Sequence, residues 1–266
     1  MPILSTRAVV AQSQAVLAMP FSANLEALFL SSGTGTLRGS PSNTEQSGNL
    51  ETVRAALIAG GDTTVFMKQW DDASGNVAHA VQTTTNLQPQ FVANAIGLAP
   101  GGYWLASGGG IRLAASISPL TQGTAYVVCK LVGLRYQTPI SNGDGDVSKP
   151  GFRIQLRLDG AVWFRVIEDD FSSIFVFHSA TYSVGATMVF CIAFDGDLLL
   201  GNVNGTEEAN ATAIVVTTGT SELYIGTANS GSEEIDGYIT AVACYSAVHD
   251  ASQRAAMVTW LTDNYS

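Results

Sequence analysis

Charged side chains are scarce in this chain. They make up 13% of its 266 residues, and 12 lysines and arginines face 22 acids, for a net charge of −10. With so few cations there is no excess to neutralise nucleic-acid phosphates or anionic head groups, so nucleic acid and membrane surfaces are poor partners. No apolar run approaches the roughly 20 residues of a membrane-spanning helix, and no membrane insertion is expected. Ala8 to Ala18 is broken by Gln12, Ser13 and Gln14 and preceded by Arg7 alone, which makes a poor secretory core. Cysteine is limited to Cys129, Cys191 and Cys244, far apart and without a C-x-x-C pair. Buried free thiols are expected rather than a disulfide framework. The histidines His79, His178 and His249 are too scattered for a zinc site. There is no G-x-S-x-G nucleophile elbow, and Gly108-Gly109-Gly110 lacks the Lys-Ser/Thr of a phosphate loop. Fixed-period repeats and low-complexity tails are missing too.

What is abundant points to β structure. An apolar fraction of 46% builds a large core and excludes disorder, while 27 glycines together with many Thr, Ser and Val favour strands and turns. Strands are expected near 63–69, 124–132, 152–158, 161–167, 174–178, 187–194, 197–203, 212–217, 222–226 and 236–245. Asp159-Gly160, Asp195-Gly196 and Asn204-Gly205 stand between three pairs of them, the dipeptides that close antiparallel hairpins. Thr187 to Phe194 is apolar on both faces and reads as a central strand. Phe152 to Leu158 alternates with Arg153, Gln155 and Arg157 and reads as a strand with one wet face. A short helix follows Asn49 as N-cap, with Leu50, Val53 and Leu57 at helical spacing and Gly60-Gly61 as the stop. A second begins after Asp250, with Gln253 at the reciprocal capping position and Ala255, Val258, Leu261 and Tyr265 as the buried stripe, expected to pack on a sandwich edge. The length suits one β-sandwich domain, 23–266, preceded by an arm, 1–22, that packs on its own domain or docks on a neighbouring subunit.

Val65 to Val92 reads VFMKQWDDASGNVAHAVQTTTNLQPQFV, and it resembles the strand, W-x-D-x-S-G-N turn and A-x-Q…Q-P stretch of arabinofuranosidase B-like domains. Trp70, Asp72, Ser74, Gly75, Asn76, Ala80, Gln82, Gln88 and Pro89 carry the match. Ser42 to Gln46 and Gly48 to Thr52 look like the entry to the same domain, shortened. Leu223 to Gly226, Gly237 to Val242 and the closing helix look like the end of a concanavalin A-like or laminin-G-like jelly roll. The likeness covers roughly 24–105 and 220–265; between them only the strand pattern agrees. It implies a concanavalin A-like jelly-roll β-sandwich, a fold found in glycosidases, lectin modules and structural proteins of tailed bacteriophages. The turn residues themselves argue architecture, because Asp72 and Ser74 can bond local amides and Gly75-Asn76 supply left-handed backbone. Trp70 reads as core.

Catalysis finds little support. Glu168, Asp169 and Asp170 read as a solvated turn, and Asp195 and Asp197 flank a hairpin glycine. The catalytic relatives implied by the resemblance carry an adjacent Cys-Cys pair, which this chain lacks, so no catalytic residue is transferred. Asn142, Asp144 and Asp146 alternate with glycines and are candidate calcium ligands, but no bidentate Glu follows and a polar turn is the preferred reading, with no cofactor required. Tyr103, Trp104, Trp163 and Tyr182 are the aromatics nominated as carbohydrate platforms. The expectation is a non-enzymatic virion structural protein of a tailed phage, assembled in the host cytoplasm as a capsid decoration or tail-associated module. Its arm would contact other virion proteins and further copies of the chain, and its jelly roll would contact host glycans. The alternatives are an arabinofuranosidase-like glycoside hydrolase and a free lectin.

Overall fold

A computed structural model describes residues 19–105, 110–143, 149–217, 219–228 and 233–266. In chain order its elements begin with β1 (Leu25–Leu30), β2 (Thr34–Ser40), β3 (Glu45–Asn49), α1 (Leu50–Ala59), β4 (Thr64–Trp70), β5 (Ala80–Val81), β6 (Gln90–Ile96) and β7 (Ala99–Trp104). They continue with β8 (Leu113–Ser116), β9 (Gly123–Leu131), β10 (Ile140–Asn142), β11 (Gly151–Leu156), β12 (Ala161–Ile167) and β13 (Ser173–Thr181). The last are β14 (Thr187–Phe194), β15 (Leu199–Val203), β16 (Thr206–Asn210), β17 (Glu222–Ile225), β18 (Gly237–Tyr245) and α2 (Ala251–Tyr265).

The strands form two facing antiparallel layers. The first runs β1–β18–β9–β14–β15–β16. The second runs β5–β8–β17–β10–β11–β12–β13. A smaller group, β3–β2–β4–β6–β7, joins them, with β4 paired to β5 and β7 paired to β18. Between the layers lies a core that includes Phe29, Trp70, Trp104, Phe152, Phe164, Phe190 and Phe194.

Strand β14 shows how the sequence dictates this. Met188, Phe190, Ile192 and Phe194 enter the core between the sheets, while Val189 and Cys191 enter a second core on the outer side. Apolar on both faces, it lies between β9 and β15 and is central as expected. That second core needs a cover, because Tyr126, Val128, Ala241, Ala243 and Tyr245 also face outward from the first sheet. Helix α2 supplies it with Met257, Val258, Trp260, Leu261 and Tyr265. The helix therefore lies on a sheet face, not on a sandwich edge, and Ala255 is exposed while Arg254 joins the buried side. Arg254 is tolerated there because Glu207 of β16 accepts from its Nε and Nη2 at 2.7 and 2.8 Å. The capping box is present, Asp250 accepting from Gln253 N and Gln253 from Asp250 N. Asn49 caps α1 by accepting from Thr52 N. The three cysteines are free and buried. Among the described residues no helix is long and apolar enough to cross a membrane.

One expected strand is misplaced. Asn204-Gly205, both at positive φ, makes the tight turn, so the partner of β15 must follow at once as Thr206–Asn210. The stretch 212–217 is instead a strap, held by Ile214 N donating to Gly196 O at 2.9 Å.

A buried polar cluster anchors the start of α2 and the residues before β1. His249 is buried, with Nδ1 2.9 Å from Tyr126 Oη and its ring edge-on to Phe21 at 5.6 Å. Burial pulls its pKa down to about 4. Between pH ~6.5 and ~4 the unfolded chain binds a proton that the folded chain refuses, so stability falls as the solution is acidified through that window. Hydrogen bonds from Arg254 hold Glu207 below its ordinary range, which extends the loss to lower pH. Unfolding free energies from urea titrations at pH 7 and pH 4.5 are expected to differ by about 2 kcal/mol, and His249→Gln is expected to remove most of that difference.

Candidate functional site

The W-x-D-x-S-G-N segment builds structure. Trp70 is fully buried and its Nε1 donates to Leu30 O at 2.9 Å. Asp72 Oδ1 accepts from Leu28 N and Ser74 N, both at 2.9 Å, while Oδ2 accepts from Ser74 Oγ at 2.6 Å and Ala78 N at 3.1 Å. Asn76 Nδ2 donates to Leu25 O at 2.5 Å. Gln88 receives Arg38 Nε at 3.0 Å and donates to Gln82 O at 3.0 Å. The turn is thereby riveted to β1, and its polar atoms are engaged in local bonds. A polar concavity of about 570 Å³ beside it, lined by Asn24, Glu26, Ser74, Asn76 and Ser116 among others, contains no ring.

The acidic run also serves the fold. Glu168 accepts from Val215 N at 2.7 Å and Ser172 Oγ at 2.5 Å, and Asp169 accepts from Thr217 N at 2.9 Å. A backbone bond from Ser172 holds Asp170 below the usual carboxylate range. Asp195 accepts from Asp197 N at 2.9 Å. Asn142 donates its amide hydrogens to Thr220 O and Glu222 O at 2.9 and 2.8 Å. Asp144 and Asp146, the other calcium candidates, lie outside the described residues. Among the described residues no three His, Cys, Asp or Glu side chains gather to hold a metal.

The four nominated aromatics do not form one site. Trp104 is fully buried, packed edge-on to the backbone at Gly102 and Gly226, where a side chain would collide with its ring. Tyr182 is also buried, because its hydroxyl knots three loops, donating to Arg157 O at 2.8 Å and accepting from Arg135 N at 3.3 Å. Neither offers a face to a sugar, which corrects the sequence expectation. Tyr103, half-buried on β7, stacks on Tyr238 at 4.9 Å, away from the second sheet. Trp163 alone of the four stands on the outer face of that sheet.

Trp163 has company there that the sequence did not reveal. Cross-strand pairing sets Phe177 opposite Trp163 and Phe175 opposite Arg165. The rings meet edge to face, Trp163 with Phe177 at 4.8 Å and with Phe175 at 5.9 Å, while Phe175 and Phe177 are parallel at 5.5 Å. Arg157 lies 3.8 Å from the Trp163 centroid and 4.6 Å from that of Tyr136. Phe177 is 60% exposed, Leu158 58% and Tyr136 45%. Isolated exposed apolar residues are ordinary, but a contiguous ridge of rings on an open sheet face is not, and it makes this end of the sheet the candidate site. The strand that carries two of its rings is tied to the first sheet: Asn210 Nδ2 of β16 donates to Phe175 O of β13, and His178 Nε2 lies near Thr206 O, each at 3.0 Å.

The rest of this face is not wet, as the alternation of β11 suggests, but covered. Glu233 reaches over it, accepting from Gln155 Nε2 at 2.7 Å, Arg153 Nη1 at 3.3 Å and Thr138 Oγ1 at 2.8 Å. Arg153 and Gln155 are buried in consequence. The open part is thus confined to the end that carries Trp163, Phe175, Phe177, Arg157 and Tyr136.

No family model matches the chain, and no curated protein matches it. In structure it is similar to the binding domain of Paraclostridial mosquitocidal protein 1, with TM-score 0.54, 14% identity, and coverage of 75% of this chain and 51% of that one. It is similar to the botulinum neurotoxin serotype G binding domain, with TM-score 0.55, 13% identity, and coverage of 73% and 48%. It is also similar to domain 4 of AbnA, a GH43 extracellular arabinanase from Geobacillus stearothermophilus solved with arabinotriose, with TM-score 0.53, 16% identity, and coverage of 71% and 92%. This chain spans about half the length of the two toxin domains. The fold is a concanavalin A-like jelly-roll β-sandwich, with two α-helices among the described residues.

Proposed function

We propose that the chain is a non-catalytic glycan-binding module that takes saccharide on the open end of its second sheet. The observation that carries this is the ridge of Trp163, Phe175 and Phe177, rings placed by strand register on an outer face where they bury no core. Sugar rings present C–H faces that stack on such rings, and Arg157 and the carboxylate of Asp159 beside them supply a donor and an acceptor for hydroxyls. The likeness to a domain solved with arabinotriose supports the reading. Titration of immobilised oligosaccharides, arabino-oligosaccharides included, with the full chain is expected to give saturable binding and to leave them uncleaved. Absence of saturation across neutral and acidic glycans, or turnover of the arabino-oligosaccharides, would contradict it.

Display on a tailed-phage particle, with 1–22 as the attachment arm and other virion proteins and copies of the chain as neighbours, is the finer part of the proposal and rests on the sequence resemblance. Mass spectrometry of purified particles tests it, and a particle without this chain removes it.

A further inference from the structure

Cations in this acidic chain are mostly matched. Arg54 pairs with Glu51, Lys68 with Glu45, Arg153 with Glu233 and Arg254 with Glu207. Arg157 departs from that pattern. Among the described residues no oxygen accepts from its guanidinium, and its Nε is buried without a partner. What holds the group is ring contact on Trp163 and Tyr136, at 3.8 and 4.6 Å. Held over the two rings by cation–π contact, the guanidinium keeps N–H groups for whatever occupies the space beside it. That space is a concavity of about 330 Å³ lined by Tyr136, Arg157, Leu158 and Asp159.

Asp159 lines the same hollow but forms no ion pair with Arg157 among the described residues. Its Oδ1 instead accepts from Ala161 N at 3.1 Å and closes the hairpin turn. The arginine is therefore held in place by rings while its fork stays unmet, beside the ridge where a sugar would stack. A planar fork of donors is the complement of a carboxylate, which accepts two parallel N–H bonds. We infer that Arg157 receives the carboxylate of a sugar acid, so that the glycan recognised on this face carries acidic residues. This rests on the glycan-binding reading and names the substrate class for the same site.

The test uses the full chain and sugar acids offered beside their own methyl esters: glucuronic, galacturonic and N-acetylneuraminic acids, titrated by saturation-transfer NMR together with a neutral arabino-oligosaccharide. At least one acid is expected to bind about tenfold tighter than its ester, the worth of one charge-assisted bidentate pair partly open to water. Arg157→Gln, which keeps an amide donor but neither charge nor fork, is expected to bring acid and ester within about twofold and to weaken the neutral sugar by no more than a few-fold. Arg157→Lys keeps the charge without the fork and is expected to fall between. Asp159→Asn removes a repelling charge from the hollow and is expected to widen the preference for the acid. Equal binding of every acid and its ester, or a preference that survives Arg157→Gln, overturns the inference while neutral binding leaves the glycan-binding reading standing. If no sugar binds, both fall.

Discussion

Replacing Asp72 by Ala is expected to lower the stability of the fold by about 3–4 kcal/mol, the largest loss anticipated from a single side chain outside the core. Asp72 accepts four hydrogen bonds, from Leu28 N, Ser74 N, Ser74 Oγ and Ala78 N. Bonds to a charged acceptor are worth more than neutral ones, and the donors left behind are partly buried, so the loss exceeds that of a single turn contact. In a domain of this size it corresponds to a fall in Tm of roughly 10 °C. Ser74→Ala, which removes the hydroxyl alone, is expected to cost about 1 kcal/mol. Urea unfolding of the three proteins decides the matter. The same experiment separates architecture from recognition: an Asp72→Ala protein kept below its melting temperature is expected to bind sugar as the wild type does. A variant with unchanged stability and lost binding would place the ligand in the polar concavity beside this turn.

The second large effect is on binding. Trp163→Ala and Phe177→Ala are each expected to weaken saccharide binding about tenfold, and the double variant about a hundredfold, because each removes a stacking face worth roughly 1.4 kcal/mol. Stability should change little for Phe177→Ala, whose ring is 60% exposed. This opposes the usual pattern for truncating an aromatic residue, where a core ring costs about 3–5 kcal/mol. Trp104→Ala supplies the contrast, since its ring is fully buried and its loss is expected to damage the fold.

Much of the fold was legible because local chemistry and tertiary environment agree. Asn49 and Asp250 cap their helices as their residue types demand, and β14 announces its central place by being apolar on both faces. Several strands lie outside the expected set, β2, β5, β6, β7, β8 and β10 among them, and for three others the residues contradict their setting. β1, Leu-Glu-Ala-Leu-Phe-Leu, is built of good helix formers, and β3 and β16 are polar edge segments with few β-favouring side chains. The stripe on α2 was misjudged because Arg254 reads as solvent-facing until Glu207, 47 residues away in sequence, is seen to meet it.

The site was legible only at Trp163. Ile174-Phe175-Val176-Phe177 is apolar at every position, so alternation cannot say which face is open. Pairing with β12 decides it, by putting Phe175 and Phe177 beside Arg165 and Trp163. The covering of Arg153 and Gln155 depends on Glu233, some 80 residues distant, and no pattern within β11 reports that contact.

The chain contains four tryptophans, and their indole N–H signals make a compact reporter. Trp70, Trp104 and Trp260 are buried, whereas Trp163 stands on the open ridge. Titrating a saccharide that binds saturably while following the four indole resonances shows whether the sugar meets the ridge. A shift confined to Trp163 and tracking the binding curve is expected; saturation with the Trp163 resonance unmoved would contradict binding at the ridge.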